Sequence, residues 1–135
     1  MKKAIIAVAG LVSTGIAWAE NVTGVDRMIC AATQVHICIE FDTCYPAESV
    51  ELGIPDFIII DTDDKIVSTT PASGENRSTP FTSYVREDGL IYLQGTEGGR
   101  AFSFVVEELT GSLTAAVATD GITVNVFGVC TDTDI

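Results

Sequence analysis

Residues 101–130 have the sequence AFSFVVEELTGSLTAAVATDGITVNVFGVC, in which apolar and polar side chains alternate through three runs. A period of two is that of a β-strand, whose successive side chains face opposite sides of the sheet. Thr110-Gly111 and Asp120-Gly121 separate the runs, and glycine-containing pairs of this kind are typical of tight turns. The stretch therefore predicts three consecutive antiparallel strands: residues 101–107, 113–118 and 122–129.

Short β-branched and aromatic runs continue upstream of this stretch, again separated by turn-forming residues such as Asp88-Gly89. They predict four more strands of the same antiparallel meander, at residues 57–61, 65–70, 79–85 and 90–94. Residues 45–55 contain Pro46, Gly53 and Pro55, which interrupt a strand, so this segment is predicted to be a loop.

Residues 27–41 predict an eighth strand, but the apolar face changes partway along it. Met28, Cys30 and Ala32 share one face, whereas Val35, Ile37, Ile39 and Phe41 keep the period of two on the other phase. A β-bulge or a break into two strands would bring both apolar sets to the same side.

Eight antiparallel strands in chain order are typical of a small up-and-down β-barrel, in which the first strand pairs with the last. A β-sandwich of similar size is the alternative, but the short regular hairpins leave no long crossover connection of the Greek-key type. The predicted fold is therefore all-β, with a barrel favoured over a sandwich. Its interior would receive Phe102, Phe104, Tyr92 and Val124.

The N-terminal residues have the pattern of a cleaved secretory signal. Lys2 and Lys3 precede an apolar run, and Ala17-Trp18-Ala19 supplies the small residues that signal peptidase accepts. The run is too short for a membrane anchor. We therefore expect residues 1–19 to be a signal peptide and residues 20–135 to be a single soluble β domain, periplasmic or secreted, with no integral membrane segment after cleavage.

Four cysteines lie beyond the predicted signal, and an even number of cysteines in an exported chain indicates disulfides. Three pairings are possible. Cys38 and Cys44 are close in the chain and flank a turn, which favours their pairing and leaves Cys30 with Cys130. Both Cys30 and Cys130 fall on the predicted inward face of their strands, so this bond would join the first strand to the last.

The charge of the chain restricts its partners. It has 19 acidic and 7 basic residues, a formal net charge of −12, and two of the bases belong to the predicted signal. Such a field repels phosphate, and the remaining bases form no cluster along the sequence, so nucleic acid is disfavoured as a partner and anionic membrane likewise.

Short motifs along nearly the whole of residues 20–135 resemble an uncharacterised family of small exported bacterial β proteins that contain cysteines. The resemblance agrees with export and disulfide formation, and it implies no substrate, cofactor or catalytic residue. The segment at residues 35–41 departs from the pattern. The matching motifs are CAAT at 30–33, Cys38, Cys44, IPDF at 54–57 followed by Asp61, NRS at 76–78, LQG at 93–95, GRAFS at 99–103, TG at 110–111 and FGVCT at 127–131.

Four residues are candidates for ligand binding. Arg77 and Arg100 stand at the entrances of predicted strands in an acidic chain, and either guanidinium could hold an anion at a barrel mouth. The alternative is that they pair with nearby acids such as Glu75 or Glu97. Phe102 and Phe104 follow Arg100 on its own strand face, so they could contact the apolar part of the same ligand.

No pattern in the chain predicts catalysis, a cofactor or a metal. His36 is the single histidine, and a Ser-His-Asp hydrolase would need it as base, yet the chain has no Gly-x-Ser-x-Gly motif. The cysteines lack the spacing of a zinc site, and the acids near Asp61 lack the glycine and glutamate of an EF-hand. Glu107 and Glu108 are predicted to be solvated at a strand end.

Two functions follow as hypotheses, neither of them enzymatic. In the first, the barrel binds a small apolar or amphipathic ligand inside. In the second, the core is filled and the acidic surface serves as a protein-interaction or inhibitory module outside the cytoplasm.

The signal pattern predicts a mature protein that begins at Glu20, because Ala17 and Ala19 suit the small-residue subsites of signal peptidase. Intact-mass measurement of the protein purified from its native host checks this expectation. A retained Met1 or a lipid adduct would contradict it.

Overall fold

The computed structural model describes Gly10 and residues 20–135, and the rest of the predicted signal peptide, residues 1–19, lies outside the described residues. The described chain is all-β, as predicted. Two short 3₁₀ turns, Ser49–Leu52 and Pro71–Ser73, interrupt ten strands. The strands are β1 Arg27–Ile39, β2 Cys44–Pro46, β3 Phe57–Asp61, β4 Ile66–Thr69, β5 Ser78–Pro80, β6 Ser83–Glu87, β7 Leu90–Glu97, β8 Arg100–Glu107, β9 Ser112–Thr119 and β10 Ile122–Asp132.

The strands form one antiparallel sheet that curls into a half-barrel. Its order is β5-β4-β3-β1-β10-β9-β8-β7-β6, with β2 paired to β1 at the side. The predicted pairing of the first strand with the last is confirmed, because β1 and β10 are hydrogen-bonded over nearly their whole lengths. No helical segment among the described residues has the length and apolar character needed to cross a membrane.

The two ends of the sheet, β5 and β6, are consecutive pieces of chain. The sequence predicted one strand there, at residues 79–85, and the structure divides it at Phe81 and Thr82. The Phe81 amide donates to the Lys65 carbonyl and the Thr82 amide to the Gln94 carbonyl, so these two residues hydrogen-bond to opposite ends of the sheet. The chain therefore passes from the β4 side of the sheet to the β7 side between Phe81 and Thr82.

A β-bulge in β1 explains the change of apolar face. The register with β10 shifts between Ala32 and Gln34, which leaves Thr33 as the extra residue. Met28 and Cys30 before the bulge and Val35 and Ile37 after it are consequently all buried.

The end of the predicted strand was wrong. β1 stops at Ile39, and Phe41 is fully exposed, at 101% of its reference area, in a turn with φ of 61°. The short strand β2 was also missed, because two of its three residues, Tyr45 and Pro46, belong to the predicted loop of residues 45–55 and because it pairs with β1 alone among the described strands.

The interior of the curled sheet is a single apolar core. Alternate residues of the long strands face it, including Ile91 and Leu93 of β7, Phe102 and Val106 of β8, and Val124 of β10. Tyr92 was expected inside and is instead 40% exposed, because Ile91 and Leu93 on either side of it take the inward positions.

Both predicted disulfides are present. Cys30 and Cys130 stand directly opposite each other in the β1–β10 ladder, buried to 1% and 2% exposure. Cys38 and Cys44 are likewise opposite each other in the β1–β2 pair and close a short loop at the surface.

Removing the two disulfides should have unequal effects on stability. The Cys30–Cys130 bond spans 100 residues and the Cys38–Cys44 bond spans 6. In the chain-entropy account these loops correspond to about 4.7 and about 2 kcal/mol of stabilisation. Denaturant unfolding of the Cys30→Ala/Cys130→Ala and Cys38→Ala/Cys44→Ala proteins measures both, and equal losses would contradict the expectation.

Candidate functional site

An apolar cavity of about 110 Å³ lies inside the half-barrel, beside the β7–β8 hairpin. Its inner wall is formed by side chains on the inward faces of β1 and β8 to β10. They are Cys30, Ala32, Phe102, Phe104, Leu113, Ala115, Val117 and Val126. β3 and β4 contribute Ile58 and Val67 from the other side. The wall is therefore assembled from the same period-two alternation that forms the sheet.

Small residues on the inward face shape this space, because Gly95 makes room for the Phe102 ring and Ala115 leaves part of the cavity unfilled. Gly95 is paired with Phe102 across β7 and β8, and a Cβ at Gly95 would lie only 2.6 Å from the Phe102 ring. The ring therefore lies over the glycine, and it packs against Phe104 with ring centroids 5.1 Å apart. Ala115 faces the same space from β9 with only a methyl group.

Charged residues surround one end of the cavity, which we call the mouth: Arg77, Glu97, Arg100 and the loop of residues 53–56. All four ligand-binding candidates from the sequence, Arg77, Arg100, Phe102 and Phe104, therefore line a single cavity. Sequence patterns did not single out Ala115 or Leu113. Their alternation with the polar Thr114 on β9 was the available signal, since β9 pairs with β8.

Arg77 is held by protein groups on several sides. Its Nε and Nη2 donate to Glu97 Oε1 at 3.2 and 3.1 Å, and Nη1 donates to the Gly53 carbonyl at 2.8 Å. A carboxylate oxygen of Glu75 lies 3.9 Å from Nη1. For Arg77 the structure thus shows the acid pairing that the sequence analysis gave as the alternative to ligand binding.

Arg100 differs from Arg77 in its partners. Its Nη1 donates to the Leu52 carbonyl at 2.7 Å, and the side chain forms no other hydrogen bond and no ion pair with the residues that the structure describes. All acidic residues of the chain lie in the described part, after residue 19. The half-buried guanidinium at the mouth therefore keeps most of its donors free.

The loop between β2 and β3 covers the mouth, and both arginines hold it. The 3₁₀ turn Ser49–Leu52 ends at Gly53, which has a left-handed φ of 64°. The Ile54 amide closes the loop on the Ser49 carbonyl at 3.0 Å, and the Ser49 hydroxyl donates to Asp56. Because the arginines bind the Leu52 and Gly53 carbonyls, this loop sits directly against the charged groups of the mouth.

The opposite end of the half-barrel contains a second charged group. Glu108 is buried and accepts a hydrogen bond from Arg86 Nε at 2.5 Å, while Arg86 Nη2 donates to the Val25 carbonyl at 2.7 Å. The expectation that Glu108 is solvated was wrong, since the chain turns inward after β8 and places it beside Arg86. Neighbouring Glu107 bonds to the next turn, where the Thr110 hydroxyl lowers the pKa of the Glu107 carboxyl.

His36 lies outside the cavity. It is in β1 between the inward-facing Val35 and Ile37, so its side chain is on the outer face, opposite Asn125 of β10 and Pro46 of β2. Within residues 20–135 no three histidine, cysteine, aspartate or glutamate side chains are grouped closely enough to hold a metal ion.

Comparison with known proteins finds no matching family model, no matching curated protein and no matching solved structure. The cavity and its mouth are therefore the features from which a function can be inferred.

Proposed function

We propose that the protein is an exported domain that binds a small apolar or amphipathic molecule in the cavity of its half-barrel. The observation that carries the proposal is an apolar space of about 110 Å³ inside the half-barrel, next to a charged mouth. Apolar pockets with a few polar groups at one end are the usual form of small-ligand sites. The two disulfides support an oxidising compartment, which agrees with a periplasmic or secreted protein.

The volume limits the apolar part of the ligand. An apolar protein cavity of about 150 Å³ stays dry and accepts a benzene molecule. A cavity of about 110 Å³ therefore suits a single ring or a short aliphatic chain, and a long fatty acid would extend out through the mouth. Burying about 100 Å² of ligand contributes about 2.5 kcal/mol, so a neutral ring should bind weakly, with a dissociation constant on the order of 10 mM.

The proposal is a binding function and not catalysis. A Ser-His-Asp hydrolase would need His36 as base, and His36 faces outward from β1, away from the cavity. At the mouth Arg77 is paired with Glu97, whereas the Arg100 side chain bonds only to the Leu52 carbonyl among the described residues, so Arg100 can hold a polar end of a ligand.

Filling the cavity from β9 should abolish ligand uptake. Ala115 is buried and lines the cavity, whereas its neighbour Ala116 faces solvent, so the pair offers matched positions. We expect toluene to bind saturably to the wild type and to Ala116→Leu, but not to Ala115→Leu, because a leucine at 115 occupies the same space. Protein methyl chemical shifts in NMR titrations report binding, and the melting temperature of each variant reports folding.

Two results would count against the cavity function. Undiminished toluene binding by a folded Ala115→Leu protein would place the ligand elsewhere. No saturable binding of any ring-sized probe by the wild type would reject the function itself.

The loop closed by Cys38–Cys44 favours the interaction or inhibitory module as a second candidate. Phe41 at its tip is fully exposed, and Glu40 and Asp42 flank it. The disulfide and the bond from the Asp42 amide to the Ile39 carbonyl hold the turn in one shape. Large aromatic residues on rigid supports are common anchors in protein interfaces, and the flanking acids suit a partner pocket with a basic rim.

Phe41→Ser should abolish the interaction while leaving the fold intact, because the Phe41 side chain packs against nothing in the domain. Immobilised oxidised protein is incubated with the exported proteins of the native host. A partner retained by the wild type and by Ala115→Leu, but lost with Phe41→Ser, supports this candidate. Identical retention by all three proteins would contradict it.

A further inference from the structure

The two arginines at the mouth have unequal capacities to bind a ligand. Arg77 is neutralised by Glu97, and its three nitrogens already donate to described protein groups. Arg100 stands across the same hairpin from Glu97, in register with it, yet no carboxylate lies within ion-pair distance of it among residues 20–135. Of these two cations, only Arg100 has its charge uncompensated.

Arg100 has the donors that an anion needs. A guanidinium carries five N–H groups in a planar fork, and a carboxylate can accept two of them in parallel. One N–H of Arg100 is used by the Leu52 carbonyl, so two others can face a carboxylate without loss of that bond. The side chain is half-buried, which makes such a charge-assisted pair stronger than one in open water.

The strand that carries Arg100 also sets where the rest of a ligand would lie. Arg100, Phe102 and Phe104 are every second residue of β8, so they share one face of the strand, and all three line the cavity. The Cα atoms of residues two apart on a strand are roughly 6.6 Å apart, and both side chains line one cavity, so a ligand that meets Arg100 lies beside Phe102. A carboxylate and an apolar ring joined directly would thus reach both subsites.

The other charged residues of the mouth disfavour ligands with two negative charges and ligands with a positive charge. Glu97 and Asp56 line the same cavity, and the whole chain has a formal net charge of −12, so a second negative charge on the ligand would be repelled. A cationic ligand finds these acids in use, since Glu97 accepts from Arg77 and Asp56 accepts from Ser49.

We infer that Arg100 is the anion-binding subsite of the cavity and that the ligand is a small monocarboxylate with a single ring or a short apolar chain. The inference rests on the proposed binding function and names its ligand class. Arg77, by contrast, positions the covering loop and Glu97, and does not bind the ligand directly.

Three ring compounds of similar size and different charge test the inference: benzoate, benzyl alcohol and benzylamine. NMR titrations at neutral pH and low salt measure their dissociation constants for the wild type and for Arg100→Met, which keeps an unbranched apolar stem. Lys65→Met is the charge-matched control, because Lys65 is exposed and does not line the cavity.

Benzoate should bind the wild type and Lys65→Met roughly 10- to 100-fold more tightly than benzyl alcohol, as expected for hydrogen bonds to a charged group. In Arg100→Met this preference should disappear, while the affinity for benzyl alcohol changes less than about threefold. The unfolding midpoint of each protein verifies that the fold is retained.

The failures of the two proposals are distinguishable. Equal affinity for benzoate and benzyl alcohol in the wild type, tighter binding of benzylamine, or a benzoate preference that survives Arg100→Met would overturn the anion subsite and leave the cavity function standing. Absence of saturable binding by all three compounds would reject both. If Arg100→Met does not fold, Arg100→Lys replaces it: this variant should keep part of the preference for benzoate, and full retention would contradict a bidentate contact.

Discussion

The pairing of β1 with β10 is the contact on which the rest of the fold depends. β1 and β10 belong to opposite ends of the described domain. The other pairs of long strands join neighbours that a short hairpin connects, with β1–β3 as the exception. Closing so long a loop costs conformational entropy, and the Cys30–Cys130 bond removes much of that cost from folding. The bulge at Thr33 and the glycine at 128 adjust the two strands, since a Cβ at Gly128 would collide with the Ala31 carbonyl. Because Cys30 also lines the cavity, the covalent link is part of the cavity wall.

The two ends of the half-barrel are built differently from similar residue types. At one end Arg86 and Glu108 bind each other, and Arg86 also bonds to the Val25 carbonyl, so burial of the charges is matched by hydrogen bonds. At the other end Arg77 is likewise paired with a carboxylate and bonded to a backbone carbonyl, whereas Arg100 has the carbonyl bond and no carboxylate partner among the described residues. The asymmetry gives the domain one closed end and one end with an uncompensated cation. It also gives a local positive site to a chain whose overall field would otherwise repel an anion.

Sequence patterns were sufficient for the parts of the structure that depend on local alternation and on turns. The hairpins of β7 to β10, the first-to-last pairing and the bulge in β1 belong to this group. Tyr92 was placed on the wrong face because Ile91 and Leu93 on either side are also apolar, so the period of two is hidden there. Tyr92 pairs with Val105, which is not among the residues of β8 that face the core. Tyr92 therefore lies on the outer face of the sheet.

Of the candidate site, only the residues on β8 could be predicted together from the sequence. Arg100, Phe102 and Phe104 follow from alternation along β8, but which arginine has an acid partner depends on Glu97 and on the covering loop. That loop is positioned by tertiary contacts, including the Arg77 bond to Gly53. The existence of a cavity depends on the sum of side-chain volumes from several strands, which a pattern of apolar and polar residues does not contain.

The cavity has a cost that bears on its use. A fully enclosed void of about 110 Å³ costs roughly 2–3 kcal/mol of stability at about 24 cal/mol per Å³, and a cavity that opens at a mouth costs less than this. Ala115 leaves part of this space, since its side chain is a single methyl group. Other inward positions of the same sheet hold larger apolar side chains, such as Leu93 and Val124. A bound ligand restores the missing contacts, and its binding free energy adds to the stability of the folded state. In a small domain with a limited core, a ligand bound as proposed would therefore also offset the instability that the empty cavity causes.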